Sequence, residues 1–309
     1  MEGGSRKAIL AACVANSGIA IAKFVGFGVT GAASMLAEAV HSVADASNQG
    51  LLLLGGSRAR KQATPEHPFG FGRERYFWSF VVALVLFTLG SLFALYEGEE
   101  KLRHPHELES VGWAFAILVF AILLESFSLR TAIHESRPFV KEAGSWWKFI
   151  RRSKVPELPV VLLEDIGALV GLIFALAGVV LAHLTGNPRW DAVGSIAIGL
   201  LLGVIAITLV IEMKSLLIGE AASPAQLEAI RVAIESDEHV RRLIHMRTQH
   251  LGPEELLVGA KVELDGNLDA RGVAHAIDAV EAKMRAAVKG TLVLYIEPDI
   301  ARASPASPP

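Results

Sequence analysis

The sequence predicts an α-helical membrane protein: six transmembrane helices followed by a small cytoplasmic α+β domain of α-β-β-α-β order, ferredoxin-like in type. Three observations carry that expectation. Of 309 residues, 52% are hydrophobic and only 20% charged, with a mean hydropathy of +0.44. A soluble globule carries about 25% charged residues. Six apolar stretches, at roughly 8–30, 34–56, 76–97, 111–131, 159–184 and 190–217, are long enough for a hydrocarbon core that takes about 20 helical residues to cross. From Gly219 onward the chain turns polar, with 10 Lys+Arg against 14 Asp+Glu in residues 219–309. The expected organisation is therefore a membrane domain over 1–218, an α+β domain over 219–300 and a disordered tail over 301–309.

The first stretch follows Arg6-Lys7, carries Asn16 and Lys23, and has no clear cleavage site before the second. It reads as a retained span rather than a signal peptide. Lys and Arg in the connections set the orientation. The N-terminus and the second and fourth loops hold 13 of them, against 3 in the first, third and fifth loops (Lys101, Arg103 and Arg189). Both termini are thus expected in the cytoplasm. The third loop is acidic (Glu97, Glu99, Glu100, Glu107, Glu109) and reads as a solvated rim.

In the second domain, Pro224–Ser236 reads as an amphipathic helix behind a Ser223 cap. Val240–His250 and Leu256–Leu264 read as strands around a Gly252-Pro253 turn, Asp269–Val288 as a second helix and Thr291–Glu297 as a last strand. That order suits helices on one face of an antiparallel sheet.

Several functions fall away early. A net charge of −3 argues against a nucleic-acid binder. Cys13 is the single cysteine, so one chain has no disulfide framework or thiolate zinc cluster. The GxGxxG string at Gly26–Gly31 ends an apolar helix with no strand before it, and His134-Glu135 meets Pro138 where an HExxH needs histidine. No catalytic motif remains, so the chain is not expected to be an enzyme, nor to hold a resident cofactor. Gly167/Gly171 and Gly199/Gly203 have the spacing of close helix packing.

The polar residues inside the spans carry the functional signal, because an ionisable group in a membrane is costly and usually faces the bundle interior. In the second stretch His41 and Asp45 are four residues apart, ~40° around one helix face. An imidazole and a carboxylate at i, i+4 can chelate a divalent ion. Glu38 lies on the same side. The fifth stretch supplies Glu164 and Asp165 near its start. At ~1.5 Å per residue, Asp45 lies ~17–19 Å and Asp165 ~21 Å from the outer surface of a ~30 Å core. His41, Asp45 and Asp165 are therefore expected to converge, with Glu164, Glu38 or water as a fourth ligand. Lys23 and Glu125 read as a buried ion pair that fixes helix register. Two acids and one imidazole with no such cation instead invite a metal ion or protons.

Residues Asn16…Lys23…Gly26, the run Thr30–Asp45 (TGAASMLAEAVHSVAD) and His67-Pro68-Phe69-Gly70-Phe71-Gly72 closely resemble the cation diffusion facilitator family, zinc-transporter-like branch. The likeness covers nearly the whole chain. It implies a homodimeric exporter of zinc or a related divalent ion, driven by proton antiport, with a transport site built from the second and fifth spans. Position by position, His41 and Asp45 match the second-span pair and Asp165 the second member of the fifth-span pair. The first member falls on Val161, which has no donor, and the adjacent Glu164 is the candidate replacement. The family's accessory sites are eroded: His67 keeps company with Thr64 and Phe71, and His245 with Lys261, Tyr295 and Glu297.

The resemblance thus implies a divalent-metal efflux transporter working by proton antiport and alternating access. Its transported substrate is Zn²⁺, or Co²⁺, Fe²⁺ or Mn²⁺, since one imidazole among carboxylates suits each of these. Its partners are the metal ion, protons, the lipid bilayer and a second copy of the chain. The competing reading is a non-transporting membrane metal sensor or partner subunit, for which the missing donor at Val161 and the eroded cytoplasmic site are the arguments.

Overall fold

The computed structural model describes residues 2–30, 33–105 and 111–300. Side chains at 2–5, 26, 27, 29, 30, 33–41, 44 and 111 lie outside the described residues, as do Glu107, Glu109 and the expected tail 301–309. The chain divides into two compact units, one of residues 1–62 and 74–217, the other of residues 63–73 and 218–309.

The described elements of the first unit are all helices: α1 (Glu2–Thr30), α2 (Ala33–Arg58), α3 (Glu74–Val85), a π-helical segment Leu86–Leu92, α4 (Phe93–Arg103), α5 (Val111–Ala143), α6 (Trp146–Arg152), α7 (Glu157–Thr185) and α8 (Arg189–Ile218). Five spans among the described residues are long and apolar enough to cross a membrane: Arg6–Val25, Glu74–Arg103, Gly112–Ala143, Glu157–Thr185 and Arg189–Ile218. The remaining expected stretch, 34–56, falls within the 26-residue α2, which carries the polar set His41, Asp45, Asn48 and Gln49.

Two local departures have sequence causes. The fourth stretch continues as helix through Pro138 to Ala143, past the expected end at 131. The short α6 arises in the basic connection because Ser145 caps it, its side chain accepting from the Lys148 N–H at 3.2 Å, while Phe149 and Ile150 turn into the core.

The core gathers Tyr76, Leu158, Val161, Leu162 and Leu209. Ion pairs tie both ends of the bundle. At one end Arg75 forks onto Glu157, with Nη2 donating to Oε2 at 2.8 Å, and Arg151 reaches Glu212 at 2.9 Å. At the other, Lys101 bridges to Asp191 at 3.0 Å. The small-residue pairs do pack closely. A Cβ on Gly199 would stand 2.7 Å from the Leu95 side chain, and one on Gly167 2.9 Å from Ile205. Close approach also lets Ser91, in the π-helical segment, donate to the Gly199 carbonyl at 2.8 Å.

The second unit contains α9 (Pro224–Glu235), β1 (Val240–Gly252), β2 (Glu255–Leu264), α10 (Ala270–Ala287) and β3 (Thr291–Pro298). A capping box starts α9: the Ser223 side chain accepts from the Gln226 N–H, and the Gln226 side chain accepts from the Ser223 N–H. Asp269 caps α10, accepting from the Gly272 N–H at 2.7 Å. Strand order is β1-β2-β3. Ile230, Ile234, Val258, Val262, Val280 and Met284 join helices and sheet in one core.

The expected all-antiparallel sheet is corrected here. β1 and β2 are antiparallel, but β2 and β3 are parallel, with Val258 beside Leu294. The reason is the connection. A tight turn joins β1 to β2, whereas the 18-residue α10 separates β2 from β3, and a crossover helix returns the chain in the same direction.

Candidate metal centre

The site is assembled from α1, α2, α5 and α7. Glu157, the first residue of α7, is fixed by Arg75, and two turns later come Glu164 and Asp165. Successive residues of a helix point ~100° apart, and these two engage different neighbours. Glu164 Oε1 accepts from Asn48 Nδ2 at 2.9 Å, and its Oε2 accepts from Gln49 Nε2 at 2.9 Å. The Gln49 carbonyl in turn accepts from Asn16 Nδ2 at 3.3 Å. A chain of carboxamides from α1 and α2 therefore clamps Glu164, each such hydrogen bond contributing about 0.5–1.5 kcal/mol. Asn48 Oδ1 is buried with no hydrogen-bond partner among the described residues.

Asp165 turns the other way. It is 2% exposed and its Oδ2 accepts from Ser128 Oγ of α5 at 2.8 Å. One turn along α5 from Ser128 sits Glu125, 3% exposed and within Coulombic range of Asp165, Asp45 and Lys23. Asp45 is half-buried on α2 and also lies within Coulombic range of Glu164. Among the described residues, four carboxylates from α2, α5 and α7 thus lie within electrostatic range of Glu125 or Glu164, together with the ammonium of Lys23.

Of the sequence-derived residues, Glu164 and Asp165 are buried side by side, and Asp45 is in electrostatic contact with them through Glu125 and Glu164. His41 lies one turn before Asp45 on α2; its side chain, like that of Glu38, lies outside the described residues. Val161 is fully buried apolar core. Among the described residues no three His, Cys, Asp or Glu side chains are drawn together closely enough to ligate one ion.

The sequence reading missed the reach of Glu125. It treated this residue as a partner of Lys23 alone. The signal was the i, i+3 placement of Glu125 and Ser128, which puts an acid and a hydroxyl on one face of α5.

The accessory positions have other partners. The rings of His67 and Phe71 lie 4.6 Å apart. Across the sheet, His245 stands opposite Lys261, and Lys261 beside Glu297. The Lys261 ammonium donates to Glu297 at 2.9 Å and to Asp299 at 3.3 Å. Those carboxylates hold its pKa above the ordinary lysine value.

Residues 9–218 match the family model described as the cation efflux transmembrane domain. The chain is 35% identical over 269 residues to the mouse protein "Proton-coupled zinc antiporter SLC30A9, mitochondrial", covering 87% of this chain and 47% of the relative. It is 31% identical to Metal tolerance protein C4 of Arabidopsis thaliana, over 85% of this chain and 58% of that one. It is 26% identical to the manganese efflux system protein MneP of Bacillus subtilis, over 85% of both. The chain spans about half the length of the zinc antiporter it matches. By the family match and these identities, the chain belongs to the cation efflux, or cation diffusion facilitator, family and resembles its zinc-transporter branch.

Proposed function

We propose that the chain exports a divalent metal cation, Zn²⁺ first among candidates, in exchange for protons by alternating access. The observation that carries this reading is that Asp45 and Asp165 both lie within electrostatic range of the buried Glu125 and Glu164 inside an apolar helical bundle, with the Lys23 ammonium in range of Glu125. Such an excess of buried acid calls for cations. The printed names of two relatives, a proton-coupled zinc antiporter and a manganese efflux protein, support the substrate class.

In this reading α2 is a sixth transmembrane helix, and both termini face the cytoplasm because the basic connections do. The domain boundaries fall at 1–218 and 219–300, the second domain is ferredoxin-like, and two copies form the working unit. His41, Asp45 and Asp165 hold the ion, and a neighbouring carboxylate fills the position left by Val161; Glu164 is the sequence candidate for it. Metal binding takes ionised carboxylates and a neutral imidazole, so protons and metal compete for the same lone pairs. A cavity open to the cytoplasm loads metal and sheds protons, and the same cavity open outward does the reverse.

The test is metal flux in proteoliposomes of the purified protein, across a panel of Zn²⁺, Co²⁺, Fe²⁺, Mn²⁺ and Cd²⁺. Saturable, gradient-dependent flux supports the transporter. Binding without flux supports the sensor.

A further inference from the structure

The connection between α5 and α7 is strongly basic: residues 137–154 hold six Lys and Arg against the single acid Glu142. Its helix α6 has two distinct faces. Phe149 and Ile150 point inward, both buried, and the Phe149 ring lies 6.3 Å from Phe139 of α5. At ~100° per residue, Trp147, Lys148, Arg151 and Arg152 fall on a ~140° arc opposite them, and all four are exposed. The Arg151 guanidinium stands over the Trp147 ring, 6.0 Å from its centroid, and reaches Glu212 of α8 at 2.9 Å. Lys148 and Arg152 make no ion pair among the described residues.

Glu212 sets the depth of this arc. α8 carries no charge from Ala192 to Ile211, 20 residues between Asp191 and Glu212. At ~1.5 Å per residue that run is ~30 Å long, the thickness of a hydrocarbon core. Arg151, paired with Glu212, therefore lies at an edge of the core. Tryptophan is enriched at that level because one end of the indole is apolar and the other wet. Trp147, 61% exposed in the protein alone, has such surroundings there.

We propose that the outward face of α6 docks the headgroups of anionic phospholipids, with Trp147 at the headgroup–acyl boundary and Lys148 and Arg152 on the phosphates. Charge complementarity selects the partner. Two unpaired cations beside Arg151 favour a headgroup with net negative charge over a zwitterionic one, whose own ammonium competes for the phosphate. Only residues 153–156 separate α6 from α7. A docked lipid thus ties to the membrane surface the start of the helix that carries Glu164 and Asp165.

The experiment is native mass spectrometry of the full-length protein released from detergent, titrated with phosphatidylglycerol or phosphatidylcholine, with near-UV circular dichroism as the folding control. The parent is expected to retain phosphatidylglycerol at least about tenfold more tightly than phosphatidylcholine. Lys148→Gln/Arg152→Gln is expected to lose about tenfold or more of the phosphatidylglycerol affinity with little change for phosphatidylcholine. Arg271→Gln/Lys289→Gln removes the same charge from exposed positions of the second unit and is expected to bind as the parent does. If the α6 double variant fails to fold, Arg152→Gln alone is expected to lose about fivefold. Equal retention of the two lipids by the parent overturns the proposal. So does parental phosphatidylglycerol affinity in a folded α6 variant, or an equal loss in Arg271→Gln/Lys289→Gln. Displacement of phosphatidylglycerol by equimolar inorganic phosphate overturns it too, because the site would then take a free anion rather than a lipid.

Discussion

Glu164 and Asp165 are neighbours in sequence but are bound to different helices: Glu164 accepts from Asn48 and Gln49 of α2, and Asp165 from Ser128 of α5. One step along α7 therefore separates a carboxylate held by two amide groups from one held by a single hydroxyl. The first is well placed to fix the packing of the helices. The second keeps an oxygen for a ligand.

Removing the hydroxyl tests the second role. Ser128→Ala leaves Asp165 Oδ2 without its described donor while changing little volume. Because partners that orient a ligand typically contribute 10–100-fold in affinity, Zn²⁺ binding is expected to weaken about tenfold with the melting curve nearly unchanged. Calorimetry on the purified protein reads this directly. Unaltered affinity would mean that Ser128 does not orient a ligand.

The amide clamp predicts the opposite pattern. Asn48→Leu or Gln49→Leu strips one donor from buried Glu164, at a cost of about 1–3 kcal/mol each. The expected signs are a lower unfolding midpoint in detergent titration and a smaller change in metal affinity for the folded fraction. A parental midpoint in both variants contradicts the clamp.

Much of this was legible in the sequence, and the exceptions have physical reasons. The helices and strands of the second unit fall within a few residues of expectation because their caps are local: Ser223 with Gln226, and Asp269 with Gly272. The parallel pairing of β2 and β3 was obscured by reading strand order without weighing the α10 crossover between them. In the bundle, Asp45, Glu164 and Asp165 stood out as acids in apolar runs. The partition of Glu164 from Asp165 did not, because it depends on which neighbouring helix each faces. Glu125 was visible but assigned to Lys23, since sequence distance gives no sign that α5 packs on α7.

The second unit carries its own pH dependence. Burial pushes the Asp237 carboxyl up, but the Lys283 ammonium and the His239 N–H outweigh it and hold the pKa below the ordinary aspartate value. The Arg241 guanidinium, hydrogen-bonded to Asp265, lowers that carboxyl as well. A group whose folded pKa is depressed stabilises the fold above its unfolded pKa, and that contribution is lost as pH falls through the folded value. Stability of this unit is therefore expected to hold from neutrality to about pH 4 and to decline below it. Hydrogen-exchange protection factors for α10 in the full chain, corrected for intrinsic rates, provide the measure. Lys283→Met is expected to flatten part of the decline, and equal protection at low and neutral pH contradicts the account.

Chelation makes a separate prediction for the same sheet. Lys261 lies between His245 and Glu297 and is already paired with Glu297 and Asp299. Exchange protection in β1, β2 and β3 is expected to be the same with and without chelator. Loosening of the strands on chelation would reveal a structural metal there.

The central claim is that buried acids bind metal in competition with protons and that this competition drives export. Its most direct test is Zn²⁺ uptake into proteoliposomes under an imposed pH gradient, with the membrane potential clamped. The parent protein is expected to take up Zn²⁺ in proportion to the gradient, and folded Asp45→Ala to take up none above background. Uptake that ignores the gradient, or that survives undiminished in Asp45→Ala, would contradict the account.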